Sequence, residues 1–267
     1  MRKDEITMPE LGRVRCEWEA QARRRRKKKR RVKTLIYRCR LSWTRQNALL
    51  ALFSAGATAR AAARAVGVNR MTAQRIFRVF RERIALSRAA VSPFVGRAEV
   101  DECYLSGGRG GRRVSKQGRS LSGKFAVVGV AQREKMSGLR RLRLQGGGRV
   151  DCPTLTAFVV ENVRRGAQVH TDQLPAYKLG LVGFDHRQVN HHREYKCAAT
   201  GACTNLIENA WSVLKRHLGR FCGGWRHNLI LFLREIEMRW ECGVATFGAA
   251  LRELLLDSLR PPSKLRI

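Results

Sequence analysis

The chain has 267 residues, 44% of them hydrophobic, which is enough to bury a core and argues against wholesale disorder. Its 54 lysines and arginines outnumber 21 acidic residues, so the net charge is +33. Such an excess repels itself unless a polyanion neutralises it, and nucleic acid is the usual polyanion. No stretch offers the roughly 20 apolar residues of a membrane span. The first residues show no secretory signal, so we expect a cytoplasmic protein without membrane contacts.

Residues 1–40 are polar and strongly basic. They include an unbroken run of nine arginines and lysines from Arg23 to Arg31. A block of like charges repels itself and is typical of a solvated segment. Near DNA the same block would displace counterions from phosphates without reading sequence. We therefore predict a largely flexible basic tail that adds salt-sensitive DNA affinity.

Residues 41–92 are rich in alanine and favour helices. Gly67 suits the left-handed turn that ends one helix, and Asn69 suits the cap of a second helix over 70–83. This layout is typical of a helix-turn-helix DNA-binding domain, although a plain two-helix hairpin has the same pattern. The exposed face of the second helix would present donors to a major groove, namely Arg70, Gln74, Arg75 and Arg78.

Residues 97–243 change to alternating and apolar patterns. The patterns predict strands over 98–105, 124–130, 139–144, 168–172 and 186–190. They predict helices over 154–164, 176–181 and 204–218. Three antiparallel strands followed by two joined through helices is the order of an RNase H-like domain, a mixed five-stranded sheet with helices. The fold class of this region is thus α+β or α/β. It follows the basic tail (1–40) and the all-α helix-turn-helix domain (41–92), which is called the head below. Residues 244–267 remain as a C-terminal helix and tail.

Three acidic residues fall on separate predicted elements. Asp101 lies in the first strand, Asp172 ends the fourth, and Glu208 is on the last helix of this region. Oxygen ligands from several elements can converge on two divalent cations, which assist the cleavage of phosphodiesters. Each acid taken alone would more often be a solvated surface group or an ion-pair partner. Glu99 and Glu102 compete with Asp101 for the first position, and Glu99 shares its strand face.

Several stretches resemble the core of a compact family of bacterial insertion-sequence transposases within the DDE superfamily. They are Glu99-Val100-Asp101-Glu102-Cys103-Tyr104, Val169-His170-Thr171-Asp172, Asn190-His191-His192 and the segment 204–216, TNLIENAWSVLKR. The resemblance implies Asp101, Asp172 and Glu208 as catalytic residues that hold two Mg²⁺ or Mn²⁺ ions. It matches Asn205 to an asparagine that shares or modifies the third metal position.

The last of these motifs also suggests contacts with DNA. Lys215 follows Glu208 by seven residues, or two helical turns, and so lies on nearly the same face. Trp211 adjoins that face, and the predicted DNA contacts are Lys215, Trp211, Arg216, His191 and His192. For the two histidines a structural role is an equal alternative.

The resemblance implies a DNA transposase. Such an enzyme binds the terminal inverted repeats of its element in double-stranded DNA and performs metal-dependent strand cleavage and strand transfer into target DNA. Because two ends must meet, it implies a homodimer or a larger assembly. Two alternatives remain open from sequence. One is a non-catalytic helix-turn-helix protein, either a regulator or a decayed transposase, and the other is a different RNase H-like nuclease.

Zinc is not expected. Relatives often carry a cysteine-rich zinc ribbon before the helix-turn-helix, but here that region holds only Cys16 and Cys39. A structural zinc site needs four ligands. The later group of His186, His191, His192, Cys197 and Cys203 fits no common spacing of such sites. We predict reduced cysteines and no structural zinc.

Overall fold

A computed structural model describes residues 34–89, 92–106, 124–134, 137–146, 151–172, 181, 183–189 and 203–257. The basic run at 23–31, His191 and His192 lie outside these residues, as does nearly all of the helix predicted over 176–181. Among the described helices, none is long and apolar enough to cross a bilayer.

The sheet has five strands in the order β3-β2-β1-β4-β5. The strands are β1 (Arg97–Ser106), β2 (Lys124–Arg133), β3 (Arg140–Gly146), β4 (Gln168–Thr171) and β5 (Asp185–Gln188). β1, β2 and β3 pair antiparallel, whereas β4 runs parallel to both β1 and β5. The predicted strand order is confirmed, and this topology is the RNase H-like fold.

Six α-helices and one short 3₁₀ helix (Arg226–Asn228) complete the described fold. The α-helices are α1 (Trp43–Ser54), α2 (Ala59–Val66), α3 (Arg70–Ser87), α4 (Cys152–Asn162), α5 (Asn205–Gly219) and α6 (Leu229–Asp257). Side chains alternate across each strand, so the sheet has two apolar faces. Val100 and Val130 pack with α4 on one face, whereas Cys103 and Val127 pack with α5 and α6 on the other.

The turn between α2 and α3 forms as its sequence predicts. Gly67 adopts φ 68° and ψ 46°, the left-handed conformation that glycine tolerates best. The Asn69 side chain accepts a hydrogen bond from the amide of Met71 at 2.7 Å and so caps α3. Ala62 and Ala63 are buried where the helices approach each other.

Buried residues from several of the predicted segments pack into one core in the described part of the chain. Leu35, inside the segment predicted as a flexible tail, is fully buried in the core of the head. Phe247 and Leu251, predicted to lie in a separate C-terminal helix, belong to the same core. Phe247 and Leu251 reach this core because α6 spans 29 residues, with an interruption at Gly243, and packs against both the sheet and the head.

Buried ion pairs reinforce this junction. Arg81 of α3 contacts Glu235 of α6 at 2.6 Å. Arg88, just after α3, contacts Glu237 at 2.8 Å and Glu241 at 2.6 Å. Breaking a buried pair of this kind leaves an uncompensated charge and is strongly destabilising. These pairs therefore join the head to α6, the helix that also packs against β3 of the sheet.

Candidate active site

Helix α5 lies along β1 on the face that carries Asp101. Leu206 N donates to Glu99 Oε2 at 2.7 Å, and Trp211 Nε1 donates to Asp101 Oδ2 at 2.8 Å. The next residue on this face, Cys103, lies against Lys215. Two residues of strand advance about 6.8 Å, and four to five residues of helix advance about 6–7.5 Å, so the contacts repeat.

The parallel pairing of β4 with β1 brings the second aspartate to the first. Arg97 pairs with Gln168 and Glu99 with His170. Continuing this register by two residues places Asp172 beside Asp101. β4 ends at Thr171, so the Asp172 carboxylate extends from the end of the strand. The two predicted aspartates are therefore neighbours despite their distance in sequence.

Glu102 joins these aspartates. Carboxylate oxygens of Asp101, Glu102 and Asp172 all lie within 4.8 Å of one another. Neighbouring strand residues normally point to opposite faces. In the described residues, however, β4 pairs with β1 only as far as Glu99, so the paired ladder ends before Asp101 and Glu102.

The electrostatics of this group favour a cation. Burial raises the pKa of Asp101 to about 6, although hydrogen bonds from Trp211 and the Glu102 amide oppose the rise. The negative charges of Asp172 and Glu208 also contribute to this rise. Burial also raises the pKa of Tyr104, and the charges of Glu102, Asp101 and Asp172 add to that rise. A cation would relieve this accumulated negative charge.

The three carboxylates fit a hard divalent cation. Mg²⁺ binds oxygen at about 2.1 Å, so ligands on opposite sides of the ion are about 4.2 Å apart. The present limit of 4.8 Å requires only a small contraction. Carboxylate oxygens are also the ligand type that Mg²⁺ and Mn²⁺ prefer.

Glu208 lies nearby but outside this group of three. It is exposed on the first turns of α5, where the hydroxyl of Thr204 donates to its Oε1 at 3.0 Å. The negative charge of Glu208 raises the pKa of Asp101. Lys215, two turns further along α5, is exposed beside Cys103. The three predicted acids and the predicted lysine are thus on one side of the molecule.

Two predicted site residues have different surroundings from those expected. Trp211 is only 5% exposed, packs in the core and donates to Asp101, so its observed partner is a carboxylate, and its contact with DNA stays a prediction. Asn205 lines a cavity of about 1280 Å³ with Gly96 and Gln168, at the starts of β1 and β4. Because Asp172 follows the opposite end of β4, a metal role for Asn205 stays a prediction.

The sequence could not rank Glu99, Asp101 and Glu102, but the structure separates them. Glu99 is 5% exposed and accepts bonds from two amides that begin α5. Burial raises its pKa, whereas these amides, the Cys203 thiol and Arg97 lower it. No local pattern relates Glu99 to Leu206, which is 107 residues away. The shared face of Glu99 and Asp101 was the one available signal.

On the head, Arg70, Arg75 and Arg78 are exposed and Gln74 is half-buried. Arg78 pairs with Glu82 at 2.7 Å on the same helix. Arg216 on α5 is also exposed. These residues are therefore available to a large anionic partner, and their contacts with DNA stay predictions.

An RNase H-like sheet whose carboxylates cluster where the middle of β1 meets the end of β4 is the arrangement expected of an enzyme that cuts nucleic-acid strands. Residues 93–241 match the family described as the ISXO2-like transposase domain, and this match covers more than half of the chain. The chain therefore belongs to this family of transposases.

A relative and two solved structures extend the comparison. A Haemophilus influenzae protein described as an uncharacterized transposase-like protein is 33% identical over 112 residues, which make up 41% of this chain and 89% of that protein. The Mos1 transposase paired-end complex with left transposon end is 14% identical, covering 76% of this chain and 78% of that one, with a TM-score of 0.25. The Mos1 strand transfer complex is 10% identical, covering 81% and 79%, with a TM-score of 0.26.

Proposed function

We propose that this transposase binds the terminal inverted repeats of its element and cleaves and joins DNA strands, using two Mg²⁺ or Mn²⁺ ions held by Asp101, Asp172 and Glu208. The observation that carries the proposal is the convergence of acidic oxygens within 4.8 Å on a chain with a net charge of +33. Glu102 adds a fourth carboxylate to this site. A protein that only bound DNA would have no need to confine negative charge here.

Divalent cations bound there would activate the attacking oxygen and stabilise the leaving oxygen. In the first step water attacks the phosphorus at the element end and loses a proton, the 3′ bridging oxygen leaves and is protonated to a free 3′-OH, and the flanking strand keeps a 5′-phosphate. In the second step that 3′-OH attacks a target phosphodiester, whose own 3′ oxygen leaves. Trp211 orients Asp101 through its hydrogen bond to Oδ2. Lys215 is placed to contact a DNA phosphate beside the carboxylates.

An arginine-lined groove supports duplex DNA as the partner. It measures about 810 Å³ and lies between the head and the connection from α5 to α6. Six arginines line it: Arg60, Arg70, Arg75, Arg78, Arg81 and Arg220. Arg81 is buried against Glu235, but contacts from the exposed arginines to phosphates would hold the duplex in place, whereas donors on α3 would read base edges.

The junction between head and sheet relates the position of this groove to that of the carboxylates. Because Arg81 and Arg88 bind α6 through buried ion pairs, DNA held by α3 has a set position relative to Asp101. Two element ends require two such units, so we propose a homodimer or a larger assembly on DNA. Sizing the protein with and without element-end duplex measures that assembly.

The deciding experiment is strand cleavage. Purified protein is incubated with end-labelled duplex carrying the ends that flank its gene, in Mg²⁺, Mn²⁺ or EDTA. Wild-type protein should nick at the element boundary only with metal, and Asp172→Asn should abolish nicking while retaining binding. Asp185→Asn is the matched control, because Asp185 is an exposed partner of Arg187 on β5 and should leave nicking unchanged.

Each other outcome has a meaning. An Asp172→Asn protein that still cuts at the boundary contradicts the assigned site. Tight binding without nicking in any metal supports a regulator or a decayed transposase. Cleavage of branched DNA or RNA–DNA hybrid in preference to element ends supports a different RNase H-like nuclease.

The proposed DNA interface has its own test. Replacing both Arg70 and Arg75 with alanine should weaken duplex binding and reduce the slope of log affinity against log salt by about 1.8, if each contacts one phosphate. Arg164→Ala, at an exposed position beyond α4, should leave the slope unchanged. An unchanged slope in the double variant would remove α3 from the interface.

A further inference from the structure

The start of α5 lacks the cap that its sequence suggests. A helix leaves its first amides without partners, and a threonine at the N-cap position usually accepts from one of them. Thr204 occupies that position but makes no such bond. Its hydroxyl instead donates to Glu208 Oε1 at 3.0 Å. The helix cap must therefore come from elsewhere.

Glu99 supplies it from β1. Its Oε2 accepts from the amides of Leu206 at 2.7 Å and Ile207 at 3.3 Å, the second and third residues of α5. Its Oε1 accepts from the Cys203 thiol at 3.4 Å. A carboxylate at a helix N-terminus also interacts favourably with the helix dipole. This long-range cap leaves the Thr204 hydroxyl available to Glu208.

A residue of β4 also binds the chain just before α5, at Cys203. His170 is 1% exposed, and its Nδ1 accepts from the Cys203 amide at 3.2 Å. Glu99 precedes Asp101 by two residues, as His170 precedes Asp172, so each shares its strand face with an aspartate. The strands that carry the two aspartates therefore also hold the beginning of the helix that carries Glu208.

We infer that Glu99 and Thr204 are positioning residues that set Glu208 relative to Asp101 and Asp172. Glu99 fixes the first turn of α5 to β1, and Thr204 fixes the carboxylate of Glu208 within that turn. Neither residue needs to touch metal or DNA for this role. The inference rests on the proposed function, because it assigns Glu208 to the same divalent-cation site.

The test measures Mn²⁺ affinity by titration calorimetry on the full chain. Thr204→Val removes the hydroxyl at nearly constant shape and should weaken Mn²⁺ binding about tenfold, in the range typical of groups that orient metal ligands. Thr204→Ser retains the hydroxyl and should restore most of the affinity. Glu99→Met should also weaken binding, whereas Glu99→Gln, which keeps an oxygen that can accept from both amides, should weaken it less. Glu161→Gln, at an exposed position on α4, is the matched control.

A second background separates positioning from general damage. If Thr204 and Glu99 act through Glu208, then Thr204→Val and Glu99→Met should cost no further affinity in a Glu208→Gln protein. Equal losses in both backgrounds would overturn the inference, as would a Thr204→Val protein with wild-type affinity. Urea unfolding identifies any variant that fails to fold. If Glu99→Met fails to fold, the comparison of Thr204→Val with Thr204→Ser still tests the inference.

The outcome also distinguishes the inference from the proposed function. Wild-type protein that does not bind Mn²⁺, or binds it equally well after Asp101→Asn, overturns both. Binding that depends on Asp101 but not on Thr204 or Glu99 overturns only the inference.

Discussion

Replacing Trp211 with phenylalanine should move the pH at which the site binds metal. The indole Nε1 donates to Asp101 Oδ2 at 2.8 Å, and this hydrogen bond lowers the pKa of a carboxyl that burial raises to about 6. Only the ionised carboxylate binds a cation well, so protons should compete with Mn²⁺ as the pH falls through 6. Above that pH Asp101 is ionised and the competition is weak.

The size of the shift follows from the lost hydrogen bond. A hydrogen bond to a charged group contributes about 1.5–3 kcal/mol, and 1.36 kcal/mol corresponds to one pKa unit. Allowing for rearrangement, Trp211→Phe should raise the midpoint of Mn²⁺ binding by about one pH unit. At pH 6 the variant should thus bind several-fold more weakly, and by pH 8 the two proteins should converge.

The assay is Mn²⁺ titration of both proteins between pH 5 and 8. Trp240→Phe is a matched control, because Trp240 is 3% exposed and its Nε1 donates to the neutral Asn209 Oδ1 at 3.1 Å. It removes the same atoms from the same core without touching Asp101. A Trp211→Phe midpoint that is unchanged, lowered or matched by Trp240→Phe would refute the reasoning.

Three further predictions concern stability. Gly129→Ala would place a methyl group 2.6 Å from Trp211 Cη2, so overpacking should cost about 1–3 kcal/mol in urea unfolding and weaken Mn²⁺ binding. Glu235→Gln should cost about 3–5 kcal/mol in the same assay, because it removes a fully buried negative charge that pairs with both Arg81 and Arg239. Burial and the charge of Arg97 lower the pKa of His170 to about 4 from 6.5, so the unfolded chain binds the extra proton between these values. The free energy of unfolding should therefore fall by about 3 kcal/mol as the pH drops from 6.5 to 4, and His170→Gln should remove that part of the slope.

Controls for these predictions come from the same chain. Gly219→Ala points into open space and should be tolerated, while Glu253→Gln changes an exposed acid on α6 and should be nearly neutral. If Gly129→Ala were as stable as Gly219→Ala, the close packing of Trp211 on β2 would be refuted. A Glu235→Gln protein as stable as Glu253→Gln would contradict the role of the buried pair. An unchanged pH slope in His170→Gln would contradict the neutral buried histidine.

The sequence by itself determined the order of the elements and the ends of several helices. Period-two and helical patterns are local, so they identify β1, β4 and α5 without knowledge of their partners. Gly67 and Asn69 likewise specify the turn before α3 through their own backbone and side-chain preferences. The placement of Asp101 and Asp172 on separate strands followed from the same patterns.

The tertiary structure alone decided which groups meet. Parallel pairing of β4 with β1 brings Asp172 to Asp101. The path of α5 along β1 buries Trp211 against Asp101 and places the Glu99 carboxylate at the N-terminus of the helix. The length of α6 decided that head and sheet share one buried junction. These outcomes depend on contacts between residues far apart in sequence, and local periodicity carries no information about such contacts. Which acid caps a helix and which one faces a metal is therefore fixed only when the strands and helices pack.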